Sequence, residues 1–335
     1  MKTRNNPAVL AAAFCLALCC VIYAPARAAA PVNVDEATQY IKKYPDDAAG
    51  YYNRGVLLER EGKVKQALAD YNKAIELKPD YANAYNNRGN IYREAGDTEK
   101  AAADFEKAIK ADPGNYLPYV NRSLLARDRG DFDAALQDLD KALELNKKDS
   151  DVYRIRGELF SISGDYDRAM PEYDKAIALN AMDHITLANR AFLKGEIGDL
   201  EGAIEDYDRA IAENPKYAHA YLNRGLTYRT MKQPDMAVKD LSAAIKLDPE
   251  NTTAYYYRGV VLGQAGEFDK AIADFSKAIA LNPTDMQAHF DRDIAYYKSG
   301  DIKAAIADLE HILSMNPDKK TRATVEKYLT ELKAK

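Results

Sequence analysis

The 335-residue chain carries 47 lysines and arginines against 52 acidic residues, a formal charge of −5, and has 24 Tyr but no Trp. An acidic balance argues against nucleic acid as a partner, because that ligand calls for a basic face. All three cysteines, Cys15, Cys19 and Cys20, lie near the start, so the rest of the chain has no thiol, disulfide or cysteine–metal chemistry.

Residues 1–28 read as a secretory signal. Lys2 and Arg4 make a basic start, Ala8 to Tyr23 is an apolar run, and Ala26-Arg27-Ala28 is an A-x-A site, which puts the cut after Ala28. The run is short for a membrane span; an uncleaved anchor is the alternative and the only membrane contact expected. Leu18 before Cys19 does not suit a lipoprotein signal, which wants a small residue there. The expected location is therefore periplasmic or secreted. Residues 29–47 form a linker and one capping helix, Asp35 to Tyr44, stopped by Pro45.

From residue 48 the chain repeats. An arginine returns every 34 residues at Arg54, Arg88, Arg122, Arg156, Arg190, Arg224, Arg258 and Arg292, without insertion or deletion. A fixed period of this length marks a solenoid of stacked units. The units are 48–81, 82–115, 116–149, 150–183, 184–217, 218–251, 252–285 and 286–319, and 320–335 follows as a C-terminal capping helix with Val325, Tyr328, Leu329 and Leu332 on one face.

Within the first unit, Tyr51, Gly55 and Leu58 (positions 4, 8 and 11) and Ala67, Tyr71, Ala74 and Ile75 (20, 24, 27 and 28) follow helical spacing. Each unit is thus two helices. Gly62 and its equivalents Gly96, Gly130, Gly164, Gly198, Gly266 and Gly300 supply the turn, with Lys232 the exception. An acid after it, as at Asp97, Asp131, Asp165, Asp199 and Asp301, suits the N-cap of the second helix. Pro79, Pro113, Pro215, Pro249, Pro283 and Pro317 end second helices. This order of aromatic, Gly, apolar, Ala, aromatic, Ala and Pro resembles the tetratricopeptide repeat (TPR) family over residues 48 to about 319. The resemblance implies an all-α, right-handed superhelical solenoid, with first helices lining a concave groove and second helices on the convex back.

The family usually has leucine where these arginines stand. Position 23 is acidic in every unit: Asp70, Asp104, Asp138, Glu172, Asp206, Asp240, Asp274 and Asp308. Arg54 and Asp70 are each eight residues from Gly62, so an antiparallel hairpin places them at one height, both pointing into the stack. One reading is a charged track for a ligand; the other, which we favour, is a ladder of structural ion pairs, since unpaired buried guanidiniums would be too costly. The middle of the array is least regular: Lys147 and Ala181 replace closing prolines, Ala191 replaces a glycine, and Pro171 falls inside a second helix. A soft joint is expected over 147–195.

Position 6 faces the groove in this family and is asparagine at Asn53, Asn87, Asn121, Asn189 and Asn223, with Asn86 and Asn90 beside it. Amides offer donor and acceptor together and suit successive peptide groups of an extended chain, similar to the asparagine ladders of some peptide-binding members; packing between first helices is the competing role. Further along, Tyr256, Tyr257 and Phe290, with Val260 and Ile294, form an aromatic cluster that would anchor a partner side chain or a sugar ring, or dock the last helices on the cap. No unit has the lysine and arginine of the family's carboxylate clamp. The four histidines, His184, His219, His289 and His311, lack metal-ligand spacing, and no phosphate loop, dinucleotide motif or nucleophile elbow occurs. The expected function is a scaffold, without enzyme activity, cofactor or metal, binding a protein or extended peptide; a glycan-binding or structural subunit of an envelope complex is the alternative.

Overall fold

A computed structural model describes residues 31–334, so the signal reading of residues 1–28, with its three cysteines, lies outside the described residues. The described chain is all helix and turn, and it divides into two compact units between Glu172 and Tyr173.

In the N-terminal unit, α1 (Val34–Lys43) precedes the hairpins α2 (Ala48–Arg60) with α3 (Val64–Leu77), α4 (Ala82–Glu94) with α5 (Thr98–Ala111), and α6 (Leu117–Asp128) with α7 (Phe132–Leu145). The fourth begins with α8 (Ser150–Ile162) and continues into α9 (Tyr166–Leu179), which runs unbroken through the exposed Pro171. The C-terminal unit takes up the end of α9 and adds α10 (His184–Ile197) with α11 (Leu200–Glu213), α12 (Ala218–Thr230) with α13 (Pro234–Leu247), α14 (Thr252–Gln264) with α15 (Phe268–Leu281), α16 (Met286–Ser299) with α17 (Ile302–Ser314), and finally α18 (Lys319–Lys333).

The turns form for the reasons their residues suggest. Asp97, Asp131, Asp199 and Asp301 each accept a backbone N–H of the second helix they precede, at Lys100, Ala134, Gly202 and Ala304. Asp47, Asp149, Asp183, Asn251 and Asp285 cap first helices in the same manner. The seven turn glycines have φ between 73° and 94°, and Lys232 is forced to 57°, a left-handed conformation that a side chain disfavours.

Packing inside a hairpin depends on positions 8 and 24 together. A Cβ on Gly89 would lie 2.7 Å from the Phe105 ring, and one on Gly55 would meet Tyr71 equally closely. The ring therefore occupies the volume that the missing side chain leaves. Where position 24 is leucine, position 8 tolerates a larger group, as at Ser123 opposite Leu139 and Asp293 opposite Leu309, all four buried.

The ends are sealed by apolar contacts. Ala37 and Ile41 of α1 are buried, and Tyr40 lies against Gly50 and donates its hydroxyl to Asp47 Oδ2 at 2.7 Å. In α18, Val325 and Leu332 are buried, with Leu329 beside them, against Leu309 and Ile312. Tyr328 corrects the sequence reading: it lies at the margin of the apolar stripe, 51% exposed and outside the cluster that Val325, Leu329 and Leu332 join. No described helix is long and apolar enough to cross a membrane.

Candidate functional site

The arginine and acid rows meet inside each hairpin. Arg54 donates Nε and Nη2 to Asp70 at 2.7 Å each, and the same two-point contact joins Arg88 to Asp104, Arg122 to Asp138, Arg190 to Asp206, Arg224 to Asp240, Arg258 to Asp274 and Arg292 to Asp308. The aspartates are buried, and the arginine side chains are between 15% and 34% exposed. A carboxylate matched to the guanidinium fork recovers much of its desolvation cost.

The remaining nitrogen of the fork does something the sequence reading missed. Nη1 of Arg88 donates to Asn72 Oδ1 of the preceding hairpin at 2.6 Å; Arg190 reaches Asp174 at 2.7 Å, Arg224 reaches Asp208 at 2.5 Å, Arg258 reaches Ser242 at 3.0 Å and Arg292 reaches Ser276 at 2.9 Å. Arg54 makes the same contact with Thr38 of α1 at 3.3 Å. Each of these six arginines thus fastens its own hairpin shut and ties it to the element before. The signal was present at position 25, a polar residue in each of these units.

The fourth rung differs. Glu172 is one methylene longer than aspartate and meets Arg156 through a single contact, Nη2 to Oε1 at 2.9 Å, leaving Arg156 Nε and Glu172 Oε2 buried without partners. Burial raises the Glu172 carboxyl above its ordinary range, against the pull of Arg156. Asp206 is the opposite case: burial would raise it, but Arg190 and Lys194, whose Nζ is 2.9 Å away, together hold it below the usual range.

The first helices of successive hairpins lie side by side within each unit and present one face. On the N-terminal unit this face is polar and largely self-satisfied. Asn121 Nδ2 donates to Asn86 Oδ1 at 2.8 Å, Asn86 donates to Asn87 at 3.2 Å, and Asn87 reaches the hydroxyls of Tyr52 and Tyr71 at 3.4 Å. Asn86 and Asn121 are 6% and 4% exposed. The structure therefore assigns these two to contact between first helices, not to an open ligand face, since their amides are consumed across the interface. Asn53, Asn87, Asn90, Asn189 and Asn223 are half-buried, and Asn90 Oδ1 has no partner. A charged belt continues the face: Arg93 and Arg127 both contact Asp128, at 3.3 and 3.0 Å, and Arg154 bridges Asp151 and Glu158 at 3.0 and 2.7 Å.

On the C-terminal unit the face is apolar and aromatic. Tyr256 and Tyr257 meet edge to face at 5.0 Å, Arg229 lies 4.4 Å from the centre of the Tyr257 ring, and the Tyr256 hydroxyl donates to Asp291 Oδ2 at 2.7 Å. Burial, reinforced by that carboxylate, raises the Tyr256 hydroxyl above its ordinary pKa. Phe290 packs against the Leu309 and Val325 cluster at the end of the array. Beside these, Phe192, Leu226 and Val260 are half-buried at position 9 of successive first helices, and Ile294 at the same position is 53% exposed. Among the described residues no group of His, Cys, Asp and Glu is arranged to hold a metal ion.

Models of the TPR repeat match residues 60–92 and 195–232, and models of the tetratricopeptide repeat match 82–115, 120–183, 218–251, 252–285 and 294–319. No curated protein matches the chain. Among solved structures it is similar to the APC/C hetero-tetramer Cut9–Hcn1, at 19% identity and a TM-score of 0.66 over 78% of this chain and 52% of that one, so it spans about half that chain's length. It is also similar to pilF of Pseudomonas aeruginosa (18% identity, TM-score 0.57, 66% and 98% covered) and to a tetratricopeptide repeat protein from Parabacteroides merdae (19%, 0.54, 75% and 98%). At such identities the likeness speaks for the fold. Helical hairpins at a 34-residue period, matched by repeat models in both units, establish that this chain belongs to the tetratricopeptide repeat family.

Proposed function

We propose that the chain is a non-catalytic interaction scaffold that holds an extended segment of a protein partner along its first-helix face. The observation that carries this reading is the apolar stripe of Phe192, Leu226 and Val260 that ends in the 53% exposed Ile294. A stripe continued by neighbouring helices and left open to water is what a partner's apolar side chains would cover. On the N-terminal unit the half-buried Asn53 and Asn90, the latter with an unpartnered Oδ1, supply a second, polar lining suited to main-chain groups. A glycan would need the Tyr256 and Tyr257 rings, yet Arg229 lies over one and Asp291 holds the hydroxyl of the other, so the peptide reading is preferred. With residues 1–28 read as an export signal, the scaffold would work in the periplasm or outside the cell, in envelope assembly, export or turnover.

Photo-crosslinking side chains placed at Ile294 and Asn223, on first helices, and at Lys277, exposed on a second helix, test this in the full-length chain in its host. Discrete protein adducts from the first two positions alone are expected. Adducts confined to Lys277 would move the interface to the other face and refute the proposal.

A further inference from the structure

The last hairpin departs from the other seven at one buried position. Position 8 is Gly55, Gly89, Ser123, Gly157, Ala191, Gly225 and Gly259, and then Asp293. Leu309 in place of a ring makes the slot large enough, and Asp293 fills it at 7% exposure with Oδ1 lacking any hydrogen-bond partner.

The charges around it do not compensate. From α17 it faces Asp308, whose carboxylate is already bound by Arg292 at 2.8 and 2.5 Å and approached by His289 Nδ1 at 3.4 Å. Arg292 is further engaged with Ser276 of α15. His289 is itself 3% exposed, its Nε2 has no partner, and its ring lies 4.7 Å from that of His311 on α17. Of the other charges on neighbouring elements, Lys333 of α18 pairs with Glu310 of α17, Arg258 of α14 pairs with Asp274 of α15, and Asp291 takes the Tyr256 hydroxyl. Each cation named here already has its carboxylate, so an ionised Asp293 would set a second, uncompensated negative charge beside Asp308.

We infer that Asp293 is a proton-dependent latch on the C-terminal hairpin: protonated, it is a neutral filler that lets α16, α17 and α18 close, and ionised, it favours their opening. Burial first, and then the charge of Asp308, push the Asp293 carboxyl up to about 7. In an opened hairpin the same group ionises near its ordinary value of about 4. The closed form therefore keeps its full stability below about pH 4, loses it as pH rises towards 7, and gains nothing back above that. The opening equilibrium rises by up to tenfold per pH unit in this window, on the order of a hundredfold between pH 5 and pH 8. Because Ile294 rides on α16, the apolar end of the face would then be presented in a pH-dependent way; that consequence rests on the function proposed above, whereas the latch does not.

Hydrogen exchange of the full chain, read by mass spectrometry and corrected for intrinsic rates, tests the latch without any partner. Between pH 5 and pH 8 the opening of residues 286–333 is expected to increase on the order of a hundredfold relative to residues 48–145, and to stay level in Asp293→Asn. Asp293→Gly recreates the Gly225–Leu241 pairing of the sixth hairpin and provides a second neutral variant should the amide not fold. A wild-type C-terminal hairpin that opens no more at pH 8 than at pH 5, or a neutral variant that keeps the wild-type pH dependence, overturns the inference.

Discussion

Replacing Arg88 by methionine removes one rung of the ladder while keeping most of its bulk. Asp104 is 3% exposed and receives two contacts of 2.7 Å from that guanidinium. Arg88→Met therefore strands a buried carboxylate, which costs about 3–5 kcal/mol. The lower figure applies, because the arginine is 15% exposed and water will enter behind it. A loss of about 3 kcal/mol corresponds to a fall in melting temperature of roughly 5 °C for a chain of this size, measurable by circular dichroism at 222 nm. Adding Asp104→Leu removes the stranded charge, and the double variant should return to within about 1 kcal/mol of wild type, since apolar replacement of a buried pair is often near neutral. Arg190→Met should cost less than Arg88→Met, because Lys194 still stands 2.9 Å from Asp206. An unchanged melting temperature in Arg88→Met, or a double variant as unstable as the single one, would refute the structural role of the rungs.

Two stabilising substitutions follow from the irregular repeats. Glu172→Asp should let Arg156 close a two-point rung and satisfy two buried atoms, raising stability by about 1 kcal/mol; a melting temperature at or below wild type would show that the backbone there does not permit the closer contact. Lys232→Gly should relieve the left-handed conformation at φ 57° and gain about 1 kcal/mol, seen as a higher urea midpoint with an unchanged slope.

The hairpins and the rungs were legible because both depend on separations along the sequence. Arg54 and Asp70 stand equally far from the turn at Gly62, so the register alone brings them together. The asparagines were not legible to the same degree. A helical wheel puts Asn86 and Asn121 near the groove, but whether an amide meets water or another amide depends on the spacing between first helices, and here that spacing closes to a 2.8 Å hydrogen bond. Tyr256 is similar: its ring sits on the expected face, while its hydroxyl is taken by Asp291 of the next hairpin. Asp293 escaped notice because a carboxylate at position 8 becomes possible only through Leu309 across the hairpin, a pairing of two columns that no single column reveals.

The third nitrogen of six of the eight ladder arginines also bears on how such a chain can change length. It is satisfied by Thr38, Asn72, Asp174, Asp208, Ser242 or Ser276, so a hairpin does not require one particular predecessor. A duplicated 34-residue segment, inserted at a repeat boundary, would bring its own arginine and find an acceptor waiting. Growth or loss by whole repeats would therefore need no new junction to be invented, and the number of repeats would be free to follow the length of whatever the array holds.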